Sequence, residues 1–133
     1  TSPFSTRYAS PEMSHLFSSE FRIISYRRLW IALAKAQKKL GLPISSEQIA
    51  EMESKIDEIE LAQIHSYEKR FRHDVMAHIH AFGDLCPLAK PILHLGATSC
   101  YVTDNADLIQ CKAALPILIG KLTRLILSLR NLA

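Results

Sequence analysis

Glycine is scarce in this chain: four among 133 residues, beside six prolines and 8% aromatics. A strand-rich fold draws heavily on glycine-bearing turns and aromatic strands, so the shortage favours helices. Cysteine is scarce and odd in number. Cys86, Cys100 and Cys111 match no zinc spacing and read as free thiols of a reducing compartment. No uncharged apolar run is long enough to span a bilayer, and no signal peptide is visible. Neither sign of charge dominates: 16 Lys and Arg against 13 Asp and Glu give a net charge of +3 and a pI near 8.8. The cations are not clustered and no stacking aromatics interleave them, which argues against a nucleic-acid interface. A mildly basic chain suits an anionic small molecule equally well. Hydrophobic content of 48% suffices for one globular core. The first residue is not Met, so further residues are expected in front of it.

The residues that are present form helical patterns. Ser10 before Pro11 is a helix start, with Ser as N-cap and Pro at the first helical position. Glu20 to Leu40 is a long helix whose apolar stripe is expected to run through Tyr26, Leu29, Trp30, Leu33, Ala36 and Leu40. Arg22, Arg27 and Arg28 fall largely off that stripe, and Trp30 reads as core. Gly41 stops the helix and Pro43 prevents a restart. Ser45 and Gln48 form a capping box for the next helix. Further helices are expected over about Asp57–Lys69 and Asp74–Leu85, before Cys86-Pro87 and Lys90-Pro91 break the pattern.

Chemistry concentrates between Arg72 and Asn105. Arg72 is a permanent cation suited to carboxylate or phosphate. His73 exchanges protons near neutral pH. Asp74 can orient a neighbouring imidazole or cap the following helix. His94-Leu-Gly-Ala-Thr-Ser-Cys-Tyr101 closes a short apolar run in a hydroxyl-bearing turn, with Thr98 and Ser99 offering hydroxyls and amides. Thr103 or Asp104 can cap the next helix, whose N-terminus favours anions. Together these groups suit a polyanionic small molecule. Taken alone, such a triplet is more often a cap with a solvated charge, and such a turn more often an ordinary loop. His78 and His80 read as half-packed residues, and no metal site is found.

The last helix carries a sustained heptad seam: Leu108, Cys111, Leu115, Leu118, Leu122, Leu125, Leu129 and Leu132. Ile109, Ile117, Ile119 and Ile126 add apolar surface off it, so several neighbours are expected to bury this helix. Pro116 should bend it. Because the pattern is interrupted at Ala133 without a cap, the chain is expected to be a fragment, its last helix belonging to a bundle shared between subunits.

Four ordered landmarks add a resemblance. SxRYASPEM (Ser5–Met13), LGLPI (Leu40–Ile44), KRFRHDVMAHIHAFG (Lys69–Gly83) and HLGATSCYVTDN (His94–Asn105) closely resemble the N-terminal part of adenylosuccinate lyases, in their animal-like form, within the fumarase/aspartase superfamily. The resemblance covers nearly the whole chain. It implies an all-α fold: residues 1–102 as the N-terminal helical domain and residues 103–133 as the first helix of the long central bundle. It implies β-elimination of fumarate from adenylosuccinate, giving AMP, and from the succinyl-carboxamide ribotide of purine biosynthesis, with no cofactor or metal. It implies a cytoplasmic homotetramer whose active sites are shared between subunits, without nucleic acid or membrane as partner. Residue by residue, Arg7 and Tyr8 match nucleotide phosphate contacts. Arg72, His73 and Asp74 match a substrate-binding triplet in which His73 assists the acid. Thr98 and Ser99 match the hydroxyl pair that holds a carboxylate. The family's principal acid histidine and its serine base match nothing within these 133 residues, so the chain alone is expected to be inactive. Two other readings remain: a non-catalytic paralogue, which the intact set of matched residues argues against, and a helical oligomerisation scaffold, which leaves both motif stretches idle.

Overall fold

The computed structural model describes residues 2–132; Thr1 and Ala133, the outer ends of the two expected units, lie outside it. Every regular element among the described residues is helical, as the composition anticipates. A single wide turn at Phe4–Tyr8 leads into α1 (Pro11–Leu16), α2 (Ser19–Lys39), α3 (Ser46–Ser54), α4 (Leu61–Phe71) and α5 (Asp74–Leu85). A short turn at Lys90–Ile92 precedes α6 (Ser99–Leu132).

The starts follow from side chains that accept otherwise unpaired amides. Ser10 accepts from the Met13 N–H and Ser18 from the Phe21 N–H. Ser45 and Gln48 cap reciprocally at 3.1 and 2.9 Å. Gly41, at φ +91°, ends α2 in the left-handed region that glycine enters without steric cost.

Helix α2 is the frame on which the other helices pack. Its buried face runs through Ile23, Tyr26, Arg27, Trp30, Ile31 and Ala34. Of the expected stripe, Tyr26 and Trp30 are buried and Leu29 packs half-buried against the core, whereas Leu40 is 81% exposed and Ala36 is also on the surface. The helix is apolar on two sides, and tertiary packing chooses the side facing Val75 and Phe82 of α5 and Met52 of α3. Ile23 joins Ile64, Ala77 and Ala81 in a second cluster between α4 and α5.

Arg27 is the main departure from the sequence-based expectation. It is 2% exposed. Its guanidinium donates to the carbonyls of Lys55, Ile56 and Glu58 at 2.9, 2.8 and 2.9 Å and lies 4.5 Å from the Phe82 ring centre. Those carbonyls face the guanidinium because 55–60 is not helical. The helix expected from Asp57 starts only at Leu61. A buried charge is tolerable when its donors are used in this way, and burial still pushes the Arg27 pKa down.

Helices α4 and α5 form a hairpin. Asp84 accepts from the Tyr67 hydroxyl at 2.5 Å and from Lys90 at 2.6 Å, and His80 stacks on Phe71 at 4.6 Å. Lys90 crosses so close to Gly83 that an added Cβ would lie 2.8 Å from its Cγ.

Helix α6 begins at Ser99, so Thr103 and Asp104 sit within it rather than capping it. The Thr98 carbonyl accepts the Tyr101 N–H at 3.0 Å and closes the first turn. Val102, Ala106, Gln110 and Ala114, spaced by four, are its buried positions. Gln110 donates to the Leu16 carbonyl at 2.9 Å, and Asp107 pairs with Arg22 at 3.0 Å. The leucine seam faces elsewhere: Leu108, Leu115, Leu118, Leu122, Leu125, Leu129 and Leu132 are all exposed.

Candidate active site

Arg72 and His73 make the entire connection between α4 and α5. So short a reversal requires one left-handed residue. Arg72 supplies it at φ 51°, ψ 37°, with its N–H on the Glu68 carbonyl at 2.8 Å. His73 is extended, and its Nδ1 accepts the Met76 N–H at 3.3 Å. The imidazole therefore takes the N-cap position, and Asp74 occupies the first turn, where the helix dipole favours a carboxylate. Asp74 Oδ1 lies 3.6 Å from His73 Nδ1. A backbone N–H can only donate. With Nδ1 thus engaged, the neutral His73 ring carries its proton on Nε2.

Around this junction lies an open depression of about 820 Å³, lined by His65, Glu68, Lys69, Arg72, His73 and Asp74. Among the described residues, no hydrogen bond or ion pair engages the Arg72 guanidinium. The Arg72 guanidinium shares this depression with Lys69, two imidazoles and the carboxylates of Glu68 and Asp74, and its free donors suit a carboxylate or phosphate. His65, Glu68 and Lys69 were not singled out from the sequence. Their positions, seven, four and three residues before Arg72, place them on its face at the end of a helix, and that spacing was the available signal.

The second motif is pinned to α2 by three side-chain bonds. Trp30 Nε1–H donates to His94 Nδ1 at 3.0 Å, Gln37 donates to the Leu95 carbonyl at 2.8 Å, and the Tyr101 hydroxyl donates to the Leu29 carbonyl at 2.9 Å. His94 stands at φ 61° and Gly96 at φ 68°. Arg72 and His94 are the only non-glycine residues at positive φ among the described residues, one in each motif stretch. Such backbone costs on the order of 1 kcal/mol per residue and persists where surrounding contacts impose it. Burial first, and then the charge of His73, hold the His94 pKa below its ordinary value. Thr98 is exposed and Ser99 half-buried at the start of α6.

Arg7 and Tyr8 lie exposed in the first turn, Tyr8 against Phe4. Among the described residues, no hydrogen bond or ion pair joins them to the triplet or to Thr98 and Ser99. Nearby Glu12 feels Lys121 and Arg124 of α6. His78 and His80 are packed residues: His78 sits edge-on to Tyr26 at 5.3 Å with its pKa lowered by burial, and His80 belongs to the Phe71 stack. Among the described residues no group of three or more His, Cys, Asp or Glu is placed to hold a metal ion. Cys86 is buried, which pushes its thiol up to about 11, while Cys100 and Cys111 are exposed. No helix of the described residues is long and apolar enough to cross a membrane.

No family model matches the chain. Curated proteins do. The chain is 51% identical over 93% of its length to the adenylosuccinate lyase of Schistosoma mansoni, and 49% identical over its full length to that of Saccharomyces cerevisiae. The archaeal adenylosuccinate lyase of Methanocaldococcus jannaschii is 34% identical over 92% of the chain. The chain spans 26 to 28% of the length of these relatives. With about half of its residues identical along nearly its whole length, the chain is similar to a stretch that makes up about a quarter of these adenylosuccinate lyases.

Proposed function

We propose that these residues are the substrate-gripping part of an enzyme that eliminates fumarate from adenylosuccinate, giving AMP, and from the succinyl-carboxamide ribotide of purine biosynthesis. The observation that supports this best is the coincidence of strain and chemistry. The two left-handed non-glycine residues, Arg72 and His94, fall in the two stretches richest in anion-binding groups. A substrate with a phosphate and two carboxylates needs several such groups. In this reading Arg72 and the Nε2–H of His73 bind anionic oxygen, and Asp74 restrains the His73 ring. Thr98 and Ser99 donate hydroxyls to a carboxylate. His73 also assists the acid that protonates the leaving nitrogen. Arg7 and Tyr8 hold the nucleotide phosphate, in a site completed by other subunits of a cytoplasmic homotetramer. Residues 1–102 form the N-terminal unit of this enzyme and 103–133 open its central bundle, where the exposed leucine seam meets other chains. No group within the chain is assigned as principal acid or base, so the 133 residues alone are inactive.

The test is direct. Adenylosuccinate is added to the intact protein, and fumarate and AMP release is followed by ultraviolet absorbance. Release that falls by at least about a hundredfold in His73→Ala, the usual scale for a lost proton-transfer or positioning group, supports the reading. A folded tetramer that releases nothing points to a non-catalytic paralogue, and turnover by the isolated 133 residues would refute the assignment of acid and base elsewhere.

A further inference from the structure

The geometry points to Trp30 as a positioning residue for the candidate active site: its indole N–H locks His94 as the Nε2–H tautomer and makes that imidazole a fixed hydrogen-bond donor in the second motif stretch. An indole nitrogen donates and never accepts. With Trp30 Nε1 3.0 Å from His94 Nδ1, that nitrogen has to present its lone pair, and the proton of the neutral ring resides on Nε2. Protonating Nδ1 would set one N–H against another and break the bond.

Trp30 is itself immobile. It is 2% exposed, stacks on Phe82 at 6.3 Å and meets Tyr26 edge-on at 6.1 Å. The rings of Trp30 and His94 cross at 89°, edge to face. Gln37, one further residue of α2, fixes the next carbonyl of the same turn, so the helix sets both backbone and side chain of His94. His94 Nε2 makes no hydrogen bond among the described residues and is not sealed from solvent. It remains available to a ligand. The titratable group of this chain whose charge reaches His94 is His73, and it acts, with burial, against a second positive charge. His73 is held in the same tautomer by the Met76 N–H. Each motif stretch therefore offers one Nε2–H donor, fixed from behind by a group that can only donate. Trp30 acts through His94, not on substrate.

The activity arm of the test rests on the lyase reading; the spectroscopic arm does not. In the intact protein with ¹⁵N-labelled histidine, the His94 signals are assigned by their loss in His94→Ala. Wild type should show an unprotonated Nδ1 and a protonated Nε2 at pH 7.5. A protonated Nδ1 would overturn the proposal without any Trp30 variant. Trp30→Phe keeps the ring stack and removes only the donor. Its His94 nitrogens should move toward a tautomer mixture, and kcat/KM should fall about tenfold, the scale of one lost hydrogen bond. The loss should be deeper at pH 6 than at pH 8.5, because an unlocked His94 protonates more readily. Unchanged nitrogen shifts, or a loss equal at both pH values, would reduce Trp30 to a packing residue and overturn the proposal. If wild type released no fumarate, the lyase reading would fail while the nitrogen shifts still decided the role of Trp30.

Discussion

Helix α6 is two helices in one as far as its surroundings go. From Ser99 to Ala114 it buries Val102, Ala106, Gln110 and Ala114 against α1 and α2. From Leu115 to Leu132 no residue is fully buried and only Ile117 is half-buried, although this half carries more leucine and isoleucine than the first. The covered stripe is made of small or slender side chains, which let α6 approach α2 closely. The uncovered half has large side chains over much of its circumference, and its leucines stay exposed. Hydrophobicity thus marks where a helix can be buried. The partner that buries it is decided elsewhere.

Substitutions of the same kind in the two halves should break that symmetry most sharply. Val102→Asp places a charge at a position with 0% exposure and should cost about 4 kcal/mol or more, unfolding the chain at ordinary temperature. Leu122→Asp, at 58% exposure, should leave the melting temperature of the isolated chain within a few degrees and, on the proposed reading, abolish assembly with other chains. Thermal melts and sedimentation measure the two effects. Equal melting temperatures for the two variants would show that the covered half is no more a core than the other.

Arg27→Met tests whether the framework under the covered half depends on a buried cation. Loss of three carbonyl partners at once should cost about 3 kcal/mol in denaturant unfolding, because the Lys55, Ile56 and Glu58 carbonyls would be left without their donor. Gln110→Ala removes one bond to Leu16 and should cost about 1 kcal/mol, detaching α1 before the rest unfolds. Hydrogen exchange at the end of α1 reads that change.

The mildest perturbation is acid. Burial holds His78 and His94 below the ordinary value of 6.5. The unfolded chain then binds more protons than the folded one as pH falls through 6.5, so stability is full above that value and declines below it. Thermal melts from pH 7.5 to 5 should show the decline, and His78→Gln should flatten it. A melting temperature independent of pH in that range would mean that the folded protein accommodates both imidazolium ions.

Local signals were legible where one residue answers to its immediate neighbours. The bounds of α5, the caps at Ser10 and Ser45 and the stop at Gly41 depend on hydrogen bonds within three or four residues, and all were read correctly. The candidate site was legible as residue types, because Arg72, His73, Asp74, Thr98 and Ser99 lie in two short stretches. Its geometry was not. His73 as cap, His65 and Lys69 as lining, and Trp30 as the clamp on His94 depend on which helices meet. Arg27 failed for the same reason: its partners lie 28 to 31 residues away, beyond any periodic pattern. Trp30 did carry a clue, since a buried indole N–H needs an acceptor, yet nothing local says which.

Composition and periodicity by themselves determined that this chain is helical, where most of its helices begin and end, and which residue types could bind an anion. The tertiary structure decided which face of α2 is inside, which half of α6 has a partner, and how two imidazoles are turned. Hydrogen bonds inside a helix span four residues and leave a record in the sequence. Contacts between helices join residues tens of positions apart, and only packing selects among the faces that the sequence makes apolar.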